Sequence, residues 1–136
     1  MVETLNGYAQ HNGNELCGVL TGILIGEKKY RICKASMPCV KTNSRFGCER
    51  DAVLANQFLK EDYDISEQTR TYIGEWHTHP ESEPRPSSVD YQSIKKNFYS
   101  AKHAAPFLIM IIVGNEVLHI CVYNGERFEE INPRMV

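Results

Sequence analysis

The sequence predicts an α+β fold: a mixed, mainly antiparallel sheet flanked by helices. Three observations predict it. Short runs rich in Val, Ile and Leu, bounded by Gly, Asn or Pro, recur along the 136 residues as strands do. Two longer segments space their apolar residues at helical intervals. Between those segments lies a strand that ends in His77-Thr78-His79-Pro80, so helices and strands alternate through the middle of the chain. The length suits one domain, residues 1–136, with a core burying roughly two thirds of the unfolded chain's surface.

Val2 to Gln10 is weakly helical, with Leu5 and Tyr8 or Ala9 on one side, and His11-Asn12-Gly13-Asn14 breaks it. Leu16 to Ile25 reads as the first strand, Gly26-Glu27-Lys28-Lys29 as a turn, and Tyr30 to Ala35 as the second strand. Gly18 and Gly22 let another backbone approach closely. Met37 to Gly47 reads as an irregular or extended crossing. Cys48 to Leu59 is an amphipathic helix, with Ala52, Ala55 and Leu59 at helical spacing and Leu54 and Phe58 beside them. Lys60 to Thr69 is polar and reads as a loop. Arg70 to His79 is the central strand, where Ile73 and Trp76 supply apolar contacts. A second helix spans Ser88 to Ala101, with Tyr91, Ile94 and Phe98 inward. Phe107 to Val113 and Val117 to Tyr123 pair around Gly114-Asn115, and Arg127 to Ile131 closes the sheet.

Composition excludes several classes. The formal net charge is −2, 42% of residues are hydrophobic, and no basic stripe offers a nucleic-acid surface. The longest apolar run, Phe107 to Val113, is too short to span a bilayer, so no membrane association is expected. Met1 to Gln10 lacks a cationic start followed by an apolar stretch, so a cytoplasmic location is expected. Cys17, Cys33, Cys39, Cys48 and Cys121 form no Cys-x-x-Cys pair, which argues for reduced thiols buried as small hydrophobes.

The chemistry gathers between residues 74 and 90. Alternation along a strand turns His77 and His79 to one face with Cα atoms about 6–7 Å apart, close enough for two imidazoles to grip one cation. Asp90 follows at the start of the second helix, where Ser87 and Asp90 also have the spacing of a helix cap. Two imidazoles and one carboxylate suit zinc and leave a fourth position open, as in catalytic rather than structural sites. Glu75 shares the parity of the histidines. It is open to three roles: base, partner to an imidazole, or solvated carboxylate. His119 reads as a partly buried strand residue, and His11 and His103 as solvated.

The stretch His77-Thr78-His79-Pro80, with Ser87 and Asp90 at their spacing, resembles the zinc signature of the JAB/JAMM metallopeptidases, the MPN domain. The family's upstream Glu-x-x-Gly has its counterpart in Glu15-Leu16-Cys17-Gly18. The resemblance runs along nearly the whole chain and implies the MPN/JAB, cytidine-deaminase-like architecture. It implies one zinc held by His77, His79 and Asp90, Glu15 as base and then acid, and Ser87 as donor to the tetrahedral intermediate. Many family members carry an aromatic residue where this chain has Glu75. The implied activity is metal-assisted hydrolysis of the isopeptide or peptide bond that joins a ubiquitin-like protein to its target. The run Tyr72 to Pro80 looks most like bacterial JAB proteins, some encoded beside activating-like and conjugating-like enzymes, including in CBASS anti-phage systems. A hydrolase of small amides or carrier adducts, and a non-catalytic MPN scaffold, are the alternative readings.

Overall fold

Runs of β-branched and aliphatic residues build the sheet that carries the histidines. In the computed structural model, which describes residues 1–9, 13–26 and 29–131, β1 (Cys17–Gly26) pairs antiparallel with β2 (Lys29–Ala35) and with β5 (Thr71–Thr78). β5 pairs parallel with β6 (Leu108–Val113); β7 (Leu118–Tyr123) and β8 (Phe128–Glu130) follow antiparallel. The order is β2-β1-β5-β6-β7-β8, with one parallel pair among the described residues. This is the mixed, mainly antiparallel sheet expected. A parallel pair requires a crossover, and the segment between β5 and β6 supplies it with α3 (Ser88–Ser100).

Both faces of the sheet are covered, which is why all six residues of β6 are buried and read as a continuous apolar run. On one face Val19, Leu108, Met110, Ile112 and Cys121 pack with Ala55 of α2 (Ala52–Ile65) and Ile94 of α3. On the other, Leu20, Ile73, Trp76, Ile109 and Ile111 pack with Leu5 of α1 (Val2–Asn6). Gly18 permits this packing, because a Cβ there would meet the Trp76 indole and the Ser36 hydroxyl. A Cβ at Gly74 would run into the carbonyl of Ile109 on β6.

Four segments depart from expectation. The crossing at 37–47 contains β3 (Val40–Ser44), which forms a two-stranded hairpin with β4 (Gly47–Arg50). Neither strand has a buried face, so no alternation announced it. Cys48 therefore lies in a strand. The helix begins at Ala52, where the Asp51 carboxylate accepts from the N–H groups of Val53 and Leu54. It runs on to Ile65 through the polar stretch expected as a loop, because Asp62 faces inward and is anchored there. Leu54 is exposed, while Phe58 and Leu59 pack on the core as expected. His103 is not solvated: Nδ1 lies 2.7 Å from the Ala105 carbonyl and Nε2 2.8 Å from that of Phe98.

The cysteines also differ. Cys17 and Cys48 form a disulfide across a Cα–Cα distance of 6.0 Å, joining β1 to the hairpin; Cys33, Cys39 and Cys121 are free. A pair 31 positions apart carries no spacing signal. Cys39 and Cys121 are buried small hydrophobes, as expected. Gln10, the His11-Asn12 part of the first break and the Glu27-Lys28 part of the first turn lie outside the described residues. Among the described residues no helix is long and apolar enough to cross a membrane.

Candidate metal centre

β5 is hydrogen-bonded on both flanks, so its side chains have fixed directions. Trp76 points into one core and is fully buried, while its neighbour His77 points to the opposite face. His79 lies one residue past the strand and is still held to the sheet, donating its N–H to the Val113 carbonyl at 3.0 Å. The two imidazole rings stand 4.8 Å apart, centroid to centroid. Pro80 opens a loop pinned to the β6–β7 turn: the Asn115 N–H donates to the Glu81 carbonyl at 2.7 Å, and Gly114 packs against Pro84.

That loop delivers Ser87 as the N-cap of α3. Ser87 Oγ accepts from the Asp90 N–H at 3.2 Å, and Asp90 Oδ2 accepts from the Ser87 N–H at 2.8 Å, a complete capping box. The cap aims Asp90 at the histidines. Its Oδ1 lies 3.2 Å from His77 Nε2 and its Oδ2 3.3 Å from His79 Nε2. Burial works against the charged carboxylate, yet the facing imidazoles of His77 and His79 hold Asp90 far below the usual carboxylate range. For His79, burial would lower the pKa; the Asp90 hydrogen bond and the charges of Asp90, Glu15 and Glu81 outweigh it and raise it.

Glu15 arrives from a different part of the chain. Thr78 donates its N–H to the Leu16 carbonyl, and the Leu16 N–H donates to Thr78 Oγ1, both at 2.9 Å, which lays residue 15 beside His79. The hairpin fixes it further. The Glu15 N–H donates to the Ser44 carbonyl at 2.7 Å, and Asn43 Nδ2 donates to the Glu15 carbonyl at 2.8 Å. Its Oε1 stands 3.9 Å from His79 Nε2, and the residue is buried. Burial raises its pKa above the ordinary glutamate value, with His79 and His77 pulling the other way.

These groups fit a zinc ion. His77, His79 and Asp90 each offer a ligand atom within 4.8 Å of the others. Tetrahedral zinc with bonds of about 2.0–2.1 Å separates its ligand atoms by about 3.3 Å, and the Asp90 carboxylate comes that close to both imidazoles, to His77 through Oδ1 and to His79 through Oδ2. His77 Nε2 is buried without a hydrogen-bond partner, an orphaned ring nitrogen that a cation at this point would satisfy.

Glu75 is elsewhere engaged. Its Oε1 accepts from the Tyr72 hydroxyl at 2.6 Å, from Asn97 Nδ2 at 3.2 Å and from the Arg50 guanidinium. Burial lifts its pKa to about 7, against the opposing charge of Arg50. Of its three open roles the solvated one is excluded, and its partners are not the imidazoles. Arg50, Tyr72 and Asn97 were not singled out by the sequence, since no motif marks them and a hairpin brings Arg50 in. His119 is a partly buried strand residue as expected, 3.7 Å from the Glu130 carboxylate, with no metal-holding cluster around it among the described residues.

A family model described as prokaryotic homologs of the JAB domain matches residues 7–128. A protein of Escherichia coli strain TW11681 named CD-NTase/cGAS isopeptidase is 33% identical over 141 residues, covering 100% of this chain and 86% of its own length. One of the same name from Vibrio cholerae serotype O1 is 33% identical over 99 residues. That match takes in 70% of this chain and 61% of the Vibrio protein, less than two thirds of that relative. The solution structure of protein DSY2949 from Desulfitobacterium hafniense aligns with a TM-score of 0.54 over 96% of this chain and 84% of its own, at 22% identity, a likeness of fold.

Proposed function

The chain belongs to the prokaryotic JAB-domain family, and we propose that it is a single-domain, zinc-dependent isopeptidase that releases a conjugated protein from its target. The observation that carries this reading is the meeting of His77, His79 and Asp90 with the buried Glu15 carboxylate, 3.9 Å from His79 Nε2. His77, His79 and Asp90 would hold one zinc, which when bound supplies a Lewis acid and a water acidic enough to be deprotonated near neutral pH.

The remaining work falls to this chain's own side chains. Glu15 takes the proton of the attacking water and passes it to the leaving nitrogen. Burial of Glu15 favours the protonated form that it must hold between the two halves of that transfer. Ser87 Oγ accepts from the Asp90 N–H, which leaves its hydroxyl hydrogen to be donated to the oxygen that gains charge as the amide carbon becomes tetrahedral. The capping box fixes Ser87 and Asp90 together, so the donor is set before substrate arrives.

The names of the Vibrio cholerae and Escherichia coli relatives support a conjugate of a CD-NTase-type protein as the substrate class. We place the chain's work in the cytoplasm, in antiviral defence, opposite activating and conjugating enzymes of the same operon. The test is to incubate zinc-loaded protein with a carrier–lysine conjugate and, separately, with small acyl-amides. Release of intact carrier, abolished in Glu15→Gln with zinc content retained, is the expected result. Cleavage of the small amides alone refutes deconjugation, and a fully active Glu15→Gln refutes the base assignment.

A further inference from the structure

Glu75 lies on the same strand as His77, and its hydrogen bonds lead to the helix that carries Asp90. On β5, residues 75 and 77 share a face, and residue 79 continues that face just past the strand. On α3, residues 90, 94 and 97 share a stripe, and the middle one, Ile94, is buried in the core. Asp90 meets His77 and His79, and two turns later Asn97 Nδ2 donates to Glu75 Oε1 at 3.2 Å. Seven residues of helix advance about 10 Å. From the level of the histidine pair back to Glu75 is three residues of strand, also about 10 Å. Helix and strand run antiparallel and touch at two polar points whose separations match, with Ile94 between them.

We propose that Glu75 is a positioning residue for the metal centre: through Asn97 it sets the axial register of α3 on β5, and so brings Asp90 level with His77 and His79. This rests on the reading of those three residues as zinc ligands. Glu75 is itself held from two further sides, by Tyr72 on its own strand and by Arg50 on β4, so the point to which Asn97 docks is rigid. The same Arg50 belongs to the hairpin whose Asn43 and Ser44 hold Glu15. One carboxylate oxygen thus ties α3 and the hairpin to the strand between them. A shift of α3 by one residue would move Asp90 about 1.5 Å along the strand, enough to break a ligand set built on bonds of about 2 Å.

A merely structural role would lower thermal stability and leave metal affinity per folded molecule unchanged. The experiment therefore measures zinc affinity, by competition with a chromophoric chelator, and the visible absorption of the cobalt(II)-substituted protein. Wild type is compared with Asn97→Ala, Glu75→Gln and, as a control on the exposed face of α3, Gln92→Ala. Asn97→Ala and Glu75→Gln are expected to weaken zinc about tenfold and to alter the cobalt spectrum, with Gln92→Ala unchanged. Wild-type affinity and spectrum in folded Asn97→Ala overturn the proposal, whether or not Glu75→Gln folds. If wild type takes up no zinc, the metal reading falls and takes this proposal with it, which is a different outcome from equal binding by all four proteins.

Discussion

Replacing Asp90 with alanine separates the helix cap that this carboxylate makes from the zinc ligation proposed for it. As a helix cap it accepts the Ser87 N–H at 2.8 Å, and losing that bond costs about 0.5–1.5 kcal/mol. As the proposed ligand its share would be larger. Four-ligand structural zinc sites bind with apparent free energies of about 10–16 kcal/mol, or roughly 2.5–4 per ligand, so losing one of three ligands would weaken binding by about 10²–10³-fold. At a free zinc concentration about 100 times the wild-type Kd, wild type is stabilised by about 2.7 kcal/mol. A domain of this size shifts by roughly 3–4 °C per kcal/mol, so its Tm rises by about 10 °C. Asp90→Ala, with a Kd weaker by two orders or more, has its unfolding free energy raised by only about 0.4 kcal/mol or less. Its Tm then rises by no more than about 1–2 °C. Thermal scans of chelator-treated protein, with and without added zinc, measure both quantities. Glu15→Gln should keep the full zinc shift, since Glu15 is not counted among the ligands. An Asp90→Ala protein that rises as far as wild type refutes the ligand assignment, and a wild type that does not rise at all refutes the site.

Ser87→Ala and Ser87→Gly should both slow conjugate cleavage by about 10²-fold through loss of the hydroxyl donor, while only the alanine loses about 1 kcal/mol of cap stability; equal stability with unchanged cleavage contradicts the role. In metal-free protein, the raised pKa of His79 means that its pairing with Asp90 stabilises fully below the unfolded value of about 6.5 and is lost as pH rises through the folded value. The depressed pKa of Asp90 makes its contribution present above about pH 4 and lost on acidification. Urea midpoints of the metal-free protein should therefore fall between about pH 6 and pH 8, and fall less in His79→Gln; the same fall in both counts against the pairing. Asp62→Ala should destabilise by about 3–5 kcal/mol, because it strips Arg70 and the buried Thr21 hydroxyl of their shared acceptor; a loss below about 1 kcal/mol in a urea titration would show the network to be dispensable.

The candidate site was legible where its parts are close in sequence. His77, His79, Ser87 and Asp90 lie on one strand–loop–helix stretch, so period-two alternation and a cap pattern suffice to bring them together. Glu15 is a different matter. Its place beside His79 depends on β1 pairing with β5, a contact between segments some sixty positions apart, and only the family resemblance pointed to it. The hairpin was missed because Thr42, Asn43 and Ser44 are polar and bury no face, so their strand character comes from pairing alone. The α2 boundary slipped for a related reason: Asp62 belongs to a buried ion network with Arg70, Lys34 and Thr21, which turns a hydrophilic stretch into anchored helix. The Cys17–Cys48 link, like the Glu75–Arg50 contact, is a product of the hairpin and was unreadable without it.

The strand carrying His77 has hydrogen-bonded neighbours on either side, whereas Glu15 precedes its strand and Asp90 sits in the opening turn of a helix. Amide protons along 73–77 should accordingly exchange among the slowest in the molecule, and those around 15 and 88–90 far sooner. On heating the cluster then opens from its periphery, with Glu15 and Asp90 leaving their places while His77 still stands in its folded frame.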